Sequence, residues 1–124
     1  MANSELCKKC TCHLNKEEVK ELDCSKLKKN FIFSEEEWKT LLNGDVIFET
    51  IRLDYNNISS VTPFLAYDVK NLYLSNNQIK EISKAAFQNL TKLVKLDLSH
   101  NQLTSKALDP DVFQVLKTTK FSSN

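Results

Sequence analysis

Apolar residues in the middle and later parts of the chain recur in a fixed frame around an asparagine. Phe48, Ile51, Leu53 and Ile58 surround Asn56. Val69, Leu72, Leu74 and Ile79 surround Asn77 in the same way, and Leu93, Leu96, Leu98 and Leu103 surround Asn101. The asparagines stand 21 and then 24 residues apart. Ile51 and Leu53, like Leu72 with Leu74 and Leu96 with Leu98, are two positions apart and share one face of a short strand. One such strand cannot bury its own apolar face. Stacked copies form a parallel sheet with a continuous core. Each strand must then turn, which leaves backbone groups without partners. An asparagine amide both donates and accepts, so a stack of Asn56, Asn77 and Asn101 closes those turns. On this reading Asn76 is an exposed neighbour whose replacement by alanine shifts stability by less than about 0.5 kcal/mol.

All three copies match L-x-x-L-x-L-x-x-N-x-L with aliphatic residues or Phe at the leucine positions, at the period of leucine-rich repeats. Between copies, Ala86, Phe87, Leu90 and Leu93 keep an apolar residue about every third position, as a convex-side segment requires. Asp109-Pro110-Asp111 reads as a helix start, with Phe113 and Leu116 on one face. Leu116, Thr119, Phe121 and Asn124 would begin a partial fourth copy, with a frayed tail as the competing reading.

Composition narrows the class. The 124 residues suit one domain, and a single glycine disfavours a hairpin-rich sandwich or barrel. A net charge of +1 gives no long-range attraction to nucleic acid, and no apolar run approaches a membrane span. The start, MANSELCKKC, has no apolar leader core. Either the chain works inside the cell, or Met1 stands at the head of a mature secreted segment. His13 and His100 are the two histidines, and neither lies in a catalytic motif or in the paired-ligand spacing of a usual zinc module. His100 reads as a solvent-facing loop residue. No cofactor is implied, and the chain does not read as an enzyme.

Cys7, Cys10, Cys12 and Cys24 all precede the repeats. A repeat stack exposes its core at an open end, which needs a cap. Four cysteines allow three pairings, and spacing alone does not choose among them. Zinc is the competing reading, with His13 as a further ligand. Disulfides would place the chain in an oxidising compartment. Cys7-x2-Cys10-x-Cys12-x11-Cys24, with Leu22 before the last cysteine and the repeats following, resembles the N-terminal cysteine cap and first repeats of extracellular leucine-rich repeat proteins. That resemblance covers Cys7 to Leu103. It implies an α/β leucine-rich repeat solenoid with parallel strands on the concave face and an N-terminal disulfide cap. It also implies Cys7–Cys12 and Cys10–Cys24 pairing and a strand at Val19 to Cys24 paired with Cys12 to Leu14. The expected organisation is a cap with a short helix over 1–45 and repeats over 46–124. Within the cap, Ser34 and Glu37 form a capping box, and Trp38, Leu41 and Leu42 share a helical face.

The strand face opposite the leucines carries the candidate site. Thr50, Arg52, Asp54, Asn71, Tyr73, Ser75, Lys95, Asp97 and Ser99 alternate with the buried positions and are expected on the concave surface. Arg and Tyr often dominate protein-binding energy, although a merely soluble sheet face has a similar composition. Lys8, Lys9, Lys26, Lys28 and Lys29 make the cap locally basic, which a solvated surface explains as readily as an acidic partner does. Asn57-Ile58-Ser59 and Asn89-Leu90-Thr91 are glycosylation sequons. The expected function is non-catalytic: extracellular recognition of a protein ligand by part of a cell-surface receptor, adhesion protein or secreted protein. An intracellular repeat scaffold with a zinc-bound cap is the alternative. The chain is also expected to be a fragment of a longer repeat protein and to self-associate through its C-terminal edge.

Overall fold

The computed structural model describes residues 10–14, 19–28, 48–64, 68–107, 110 and 120–123, with only the backbone described at 11–14, 19–20 and 120–123. Among the described residues, eight strands form two sheets. In the larger sheet β1 (Thr11–Leu14), β2 (Val19–Asp23), β3 (Thr50–Arg52), β5 (Asn71–Tyr73), β7 (Lys95–Leu98) and β8 (Lys120–Ser123) lie in that order. The smaller sheet pairs β4 (Ser60–Val61) with β6 (Glu81–Ile82). Among these strands β1–β2 is antiparallel and the other pairs are parallel. The strand expected at the cap is present, with Cys12 opposite Leu22.

The register follows the leucine frame. Leu22 lies opposite Ile51, Ile51 opposite Leu72, and Leu72 opposite Leu96. All four are fully buried. Two residues further on, Cys24, Leu53, Leu74 and Leu98 form a second buried row. Burying each such side chain contributes about 1.5–3 kcal/mol, and no single strand could do so alone. The cap therefore continues the repeat core. The cap sequence Leu22-Asp23-Cys24-Ser25 even matches Leu96-Asp97-Leu98-Ser99, with cysteine in place of the second leucine. On the convex side Ala86, Phe87, Leu90 and Leu93 are buried, as their spacing predicts, and Phe87 stacks on Phe64 with ring centroids 6.3 Å apart. The segment is built from successive turns in which the N–H groups of Ala86, Leu90 and Leu93 each bond to the carbonyl three residues back.

The asparagine ladder is formed. Asn77 Nδ2 donates to the carbonyls of Leu53, Leu74 and Ser75 at 3.0–3.1 Å, and its Oδ1 accepts from the N–H groups of Asn56 and Ile58. Asn56 reaches back to the cap in the same way, donating to Cys24 O at 2.8 Å and accepting from Leu27 N–H. Asn101 repeats the pattern on Leu74, Leu98 and Ser99, and accepts from Ile79 N–H. The residue before each ladder asparagine is left-handed: Tyr55 at φ 57°, Asn76 at 54° and His100 at 56°. Lys26, the matching cap residue by register, has φ 61°. Four repetitions at one position mark a turn that the stack itself demands. Asn76 is therefore not an indifferent surface position. It is half-buried, and asparagine is there because it tolerates this conformation better than alanine.

The fourth copy is displaced from its expected register. Phe121 pairs with Leu96, and Ser123 with Leu98, so Phe121 takes the register position of Leu96 rather than that of Leu98. The step from Leu96 to Phe121 is 25 residues, close to the earlier 24, whereas the sequence frame had favoured an ending on Asn124. Cys7, the side chain of Cys12, the Ser34–Glu37 helix with Trp38, the boundary at 45/46, the helix start at Asp109 and Asp111, Phe113, Leu116, Thr119 and Asn124 lie outside the described residues.

Candidate protein-binding face

The polar face of the larger sheet is ordered in columns. By register, Asp23, Arg52, Tyr73 and Asp97 form the central column, with Glu21, Thr50, Asn71 and Lys95 beside it. All of these are partly exposed. Tyr73 stands on β5, between β3 and β7. The Arg52 guanidinium carbon lies 4.6 Å from its ring centroid and Lys95 Nζ lies 5.0 Å from it, one cation arriving from each neighbouring strand. Such contacts contribute about 0.5–1 kcal/mol at exposed sites and limit the ring's movement. Asn71 Nδ2 donates to Thr50 Oγ1 at 3.2 Å, tying the flanking column across β3 and β5.

Two of the nine expected surface residues are not on the surface. Asp54 is 3% exposed and Ser75 9% exposed. Both follow the strand proper, where the chain bends toward the left-handed residue and folds these side chains beneath the rim. Asp54 Oδ2 accepts from Arg52 Nη2 at 3.1 Å, while its Oδ1 has no hydrogen-bond partner. Burial opposes the charge on Arg52, but the hydrogen bond to Asp54 and the fields of Asp54, Glu21 and Asp23 outweigh it. The guanidinium is held charged above its ordinary range. The side chain stays 37% exposed, so the charge is fixed in position and still presented. Asp97 is instead turned toward Ser99, accepting from Ser99 N–H at 3.0 Å and Ser99 Oγ at 2.6 Å. Asp23 and Ser25 make the same arrangement in the cap.

Glu21, Asp23 and Ser25 are face residues that reasoning from the repeats missed. The signal was the Leu-Asp-Cys-Ser text, hidden because a cysteine replaces a frame leucine. Cys10 and Cys24 are joined by a disulfide, with Cα atoms 4.7 Å apart. Two of the thiolates that the zinc reading would use, Cys10 and Cys24, are thus bonded to each other. Asn57 is exposed, and its Nδ2 donates to Lys28 O at 3.0 Å. Asn89 is half-buried against Phe64 O. His100 is exposed, as expected.

A family model described as leucine rich repeat matches residues 48–103 and 67–120, and the chain belongs to that family. Podocan-like protein 1 of Mus musculus is 33% identical over 79 residues, 64% of this chain and 14% of that protein. Human lumican is 43% identical over 58 residues, 47% of this chain and 17% of lumican. Human Toll-like receptor 8 is 43% identical over 63 residues, 46% of this chain and 6% of the receptor. The chain thus matches only a small part of each relative's length. Among solved structures, a chain of the Drosophila melanogaster SNF/U2A' complex superimposes with a TM-score of 0.67 and 26% identity, covering 96% of this chain and 64% of that one.

Proposed function

We propose that this chain is a non-catalytic, extracellular protein-recognition module belonging to a cell-surface receptor, adhesion protein or secreted protein, and that its concave face holds the ligand. The observation that carries this reading is Tyr73 fixed between Arg52 and Lys95 at the centre of a polar face that the fold leaves uncovered among the described residues. An aromatic ring with few rotamers, flanked by positioned charges, loses little entropy when it meets a partner. Thr50, Asn71, Asp97 and Ser99 surround that anchor, and Asp54 and Ser75 support it from below. The Cys10–Cys24 disulfide favours an oxidising compartment. Asn57, exposed within its sequon, is the better glycan acceptor of the two. The named relatives include a receptor, and the structural neighbour was solved within a complex; both accord with a binding role. The same reading includes association of copies through β8, the outer strand of the larger sheet among the described residues.

The test is to display the disulfide-bonded chain to a library of extracellular proteins and to map any saturable partner by cross-linking. Cross-links from Lys95 and from residues beside Tyr73 are expected. Partners cross-linked only through the β4–β6 side would overturn the assignment of the face.

A further inference from the structure

The small sheet on the convex side stops one strand short of the repeat. Ser60–Val61 stand four and five residues after Asn56, and Glu81–Ile82 stand four and five after Asn77. The corresponding residues after Asn101 are Ser105 and Lys106, which lie in a turn. The ladder between the first two copies runs through Gln78 N–H to Ile58 O, Lys80 N–H to Ser59 O and Ser83 N–H to Val61 O, at 2.9–3.0 Å. Its continuation begins with Gln102 N–H to Ile79 O at 3.0 Å. It then breaks, because Ala107 N–H turns back to Thr104 Oγ1 at 3.2 Å instead of reaching β6. At the position a third strand would occupy, an open cavity of about 790 Å³ is lined by β6 and residues 104–107 and reaches under β4 at Ser60, Val61 and Thr62.

The chemistry of the cavity is one-sided. Val61, Ile82 and Ala107 give it an apolar floor. Lys80, Lys84 and Lys106 stand around it, all exposed, against one carboxylate, Glu81. None of the three lysines forms an ion pair among the described residues, whereas Lys70 and Lys92 elsewhere on the surface do. A strand with an unoccupied side accepts a peptide through its backbone, and flanking charges select which peptide.

We propose that this cavity binds an extended acidic peptide segment of a partner protein, which adds beside β6 as the third strand of the convex sheet. Backbone pairing supplies the register. The peptide's apolar side chains lie on the side of Ile82, and the acidic ones meet Lys80, Lys84 and Lys106. The site is separate from the Tyr73 face and does not depend on it.

The probe is a fluorescent, end-capped seven-residue peptide alternating glutamate with valine, titrated by anisotropy. Two controls accompany it: the same peptide with lysine for glutamate, and one with a central proline. The glutamate peptide is expected to bind saturably and to protect the Ile82 amide from hydrogen exchange. Both controls, and the variant Lys80→Glu/Lys84→Glu/Lys106→Glu with the glutamate peptide, should bind at least about tenfold more weakly. Arg52→Glu should leave the affinity unchanged, which separates this site from the concave face. Failure of the glutamate peptide to bind would overturn the proposal. So would equal binding of the proline peptide, since that signals charge attraction without strand addition. The three exposed substitutions leave the core intact, and a second variant, Lys84→Ala/Lys106→Ala, must weaken binding in the same direction.

Discussion

The guanidinium carbon of Arg52 lies 4.6 Å from the centre of the Tyr73 ring. The two residues sit directly opposite each other on parallel strands β3 and β5, and the contact joins two repeats across the exposed face. Arg52 is held from behind by the buried Asp54, so the pair forms a positioned unit on the surface.

The ladder gives the largest stability prediction. Asn77→Ala removes an amide that donates to three carbonyls and accepts from two N–H groups, all buried. A loss of more than about 2 kcal/mol is expected by urea denaturation. Asn101→Ala, at a half-buried position, should cost less. Equal, small effects would remove the ladder from the account.

The left-handed turn makes a sharper, sign-specific prediction at Asn76. Asn76→Ala should destabilise by about 1 kcal/mol, because a Cβ without a local hydrogen-bonding group is unfavourable at φ 54°. Asn76→Gly should be close to neutral, since glycine reaches positive φ freely. The reverse order in melting experiments would contradict the turn geometry.

Losing the Cys10–Cys24 bridge should cost about 2–5 kcal/mol. Cys24 also fills a leucine position in the core, and its carbonyl accepts from Asn56. The effect of Cys10→Ser/Cys24→Ser should therefore spread into β3, visible as faster amide exchange at Leu53. A loss of protection confined to the cap would mean that β2 is not continuous with the repeat core.

How far the sequence revealed the molecule depended on how well each copy kept its frame. Three leucine-and-asparagine copies predicted the strands, their parallel order and the ladder, because each inward position has one physical requirement. The cap strand was legible by resemblance, but its membership of the repeat stack was obscured by Cys24. The fourth strand was misaligned because phenylalanine suits either leucine position of the frame, and only the backbone pairing with Leu96 distinguishes them. Alternation placed Asp54 and Ser75 outward; alternation holds only while the strand lasts, and both residues lie past its end. The central anchor was visible as the Arg52, Tyr73 and Asp97 column, but nothing in the alternation brings Lys95, in the neighbouring column, over the Tyr73 ring.

The claim that Arg52 and Tyr73 form the ligand anchor is tested most directly by transplanting a motif the molecule already uses. Arg52→Asp with Asp54→Ser recreates the Asp–Ser pair found at Asp23–Ser25 and at Asp97–Ser99. It also removes a buried carboxylate whose Oδ1 lacks a partner. The new aspartate faces Asp23, a like-charge pair worth only about 0.2–1 kcal/mol, so stability should stay within about 1 kcal/mol of the parent. The measurement is the affinity of this double variant for a protein ligand cross-linked at the concave face, alongside its denaturation midpoint. The expected result is an unchanged fold with binding weakened by about tenfold or more. A variant equally stable and binding with undiminished affinity would contradict the account.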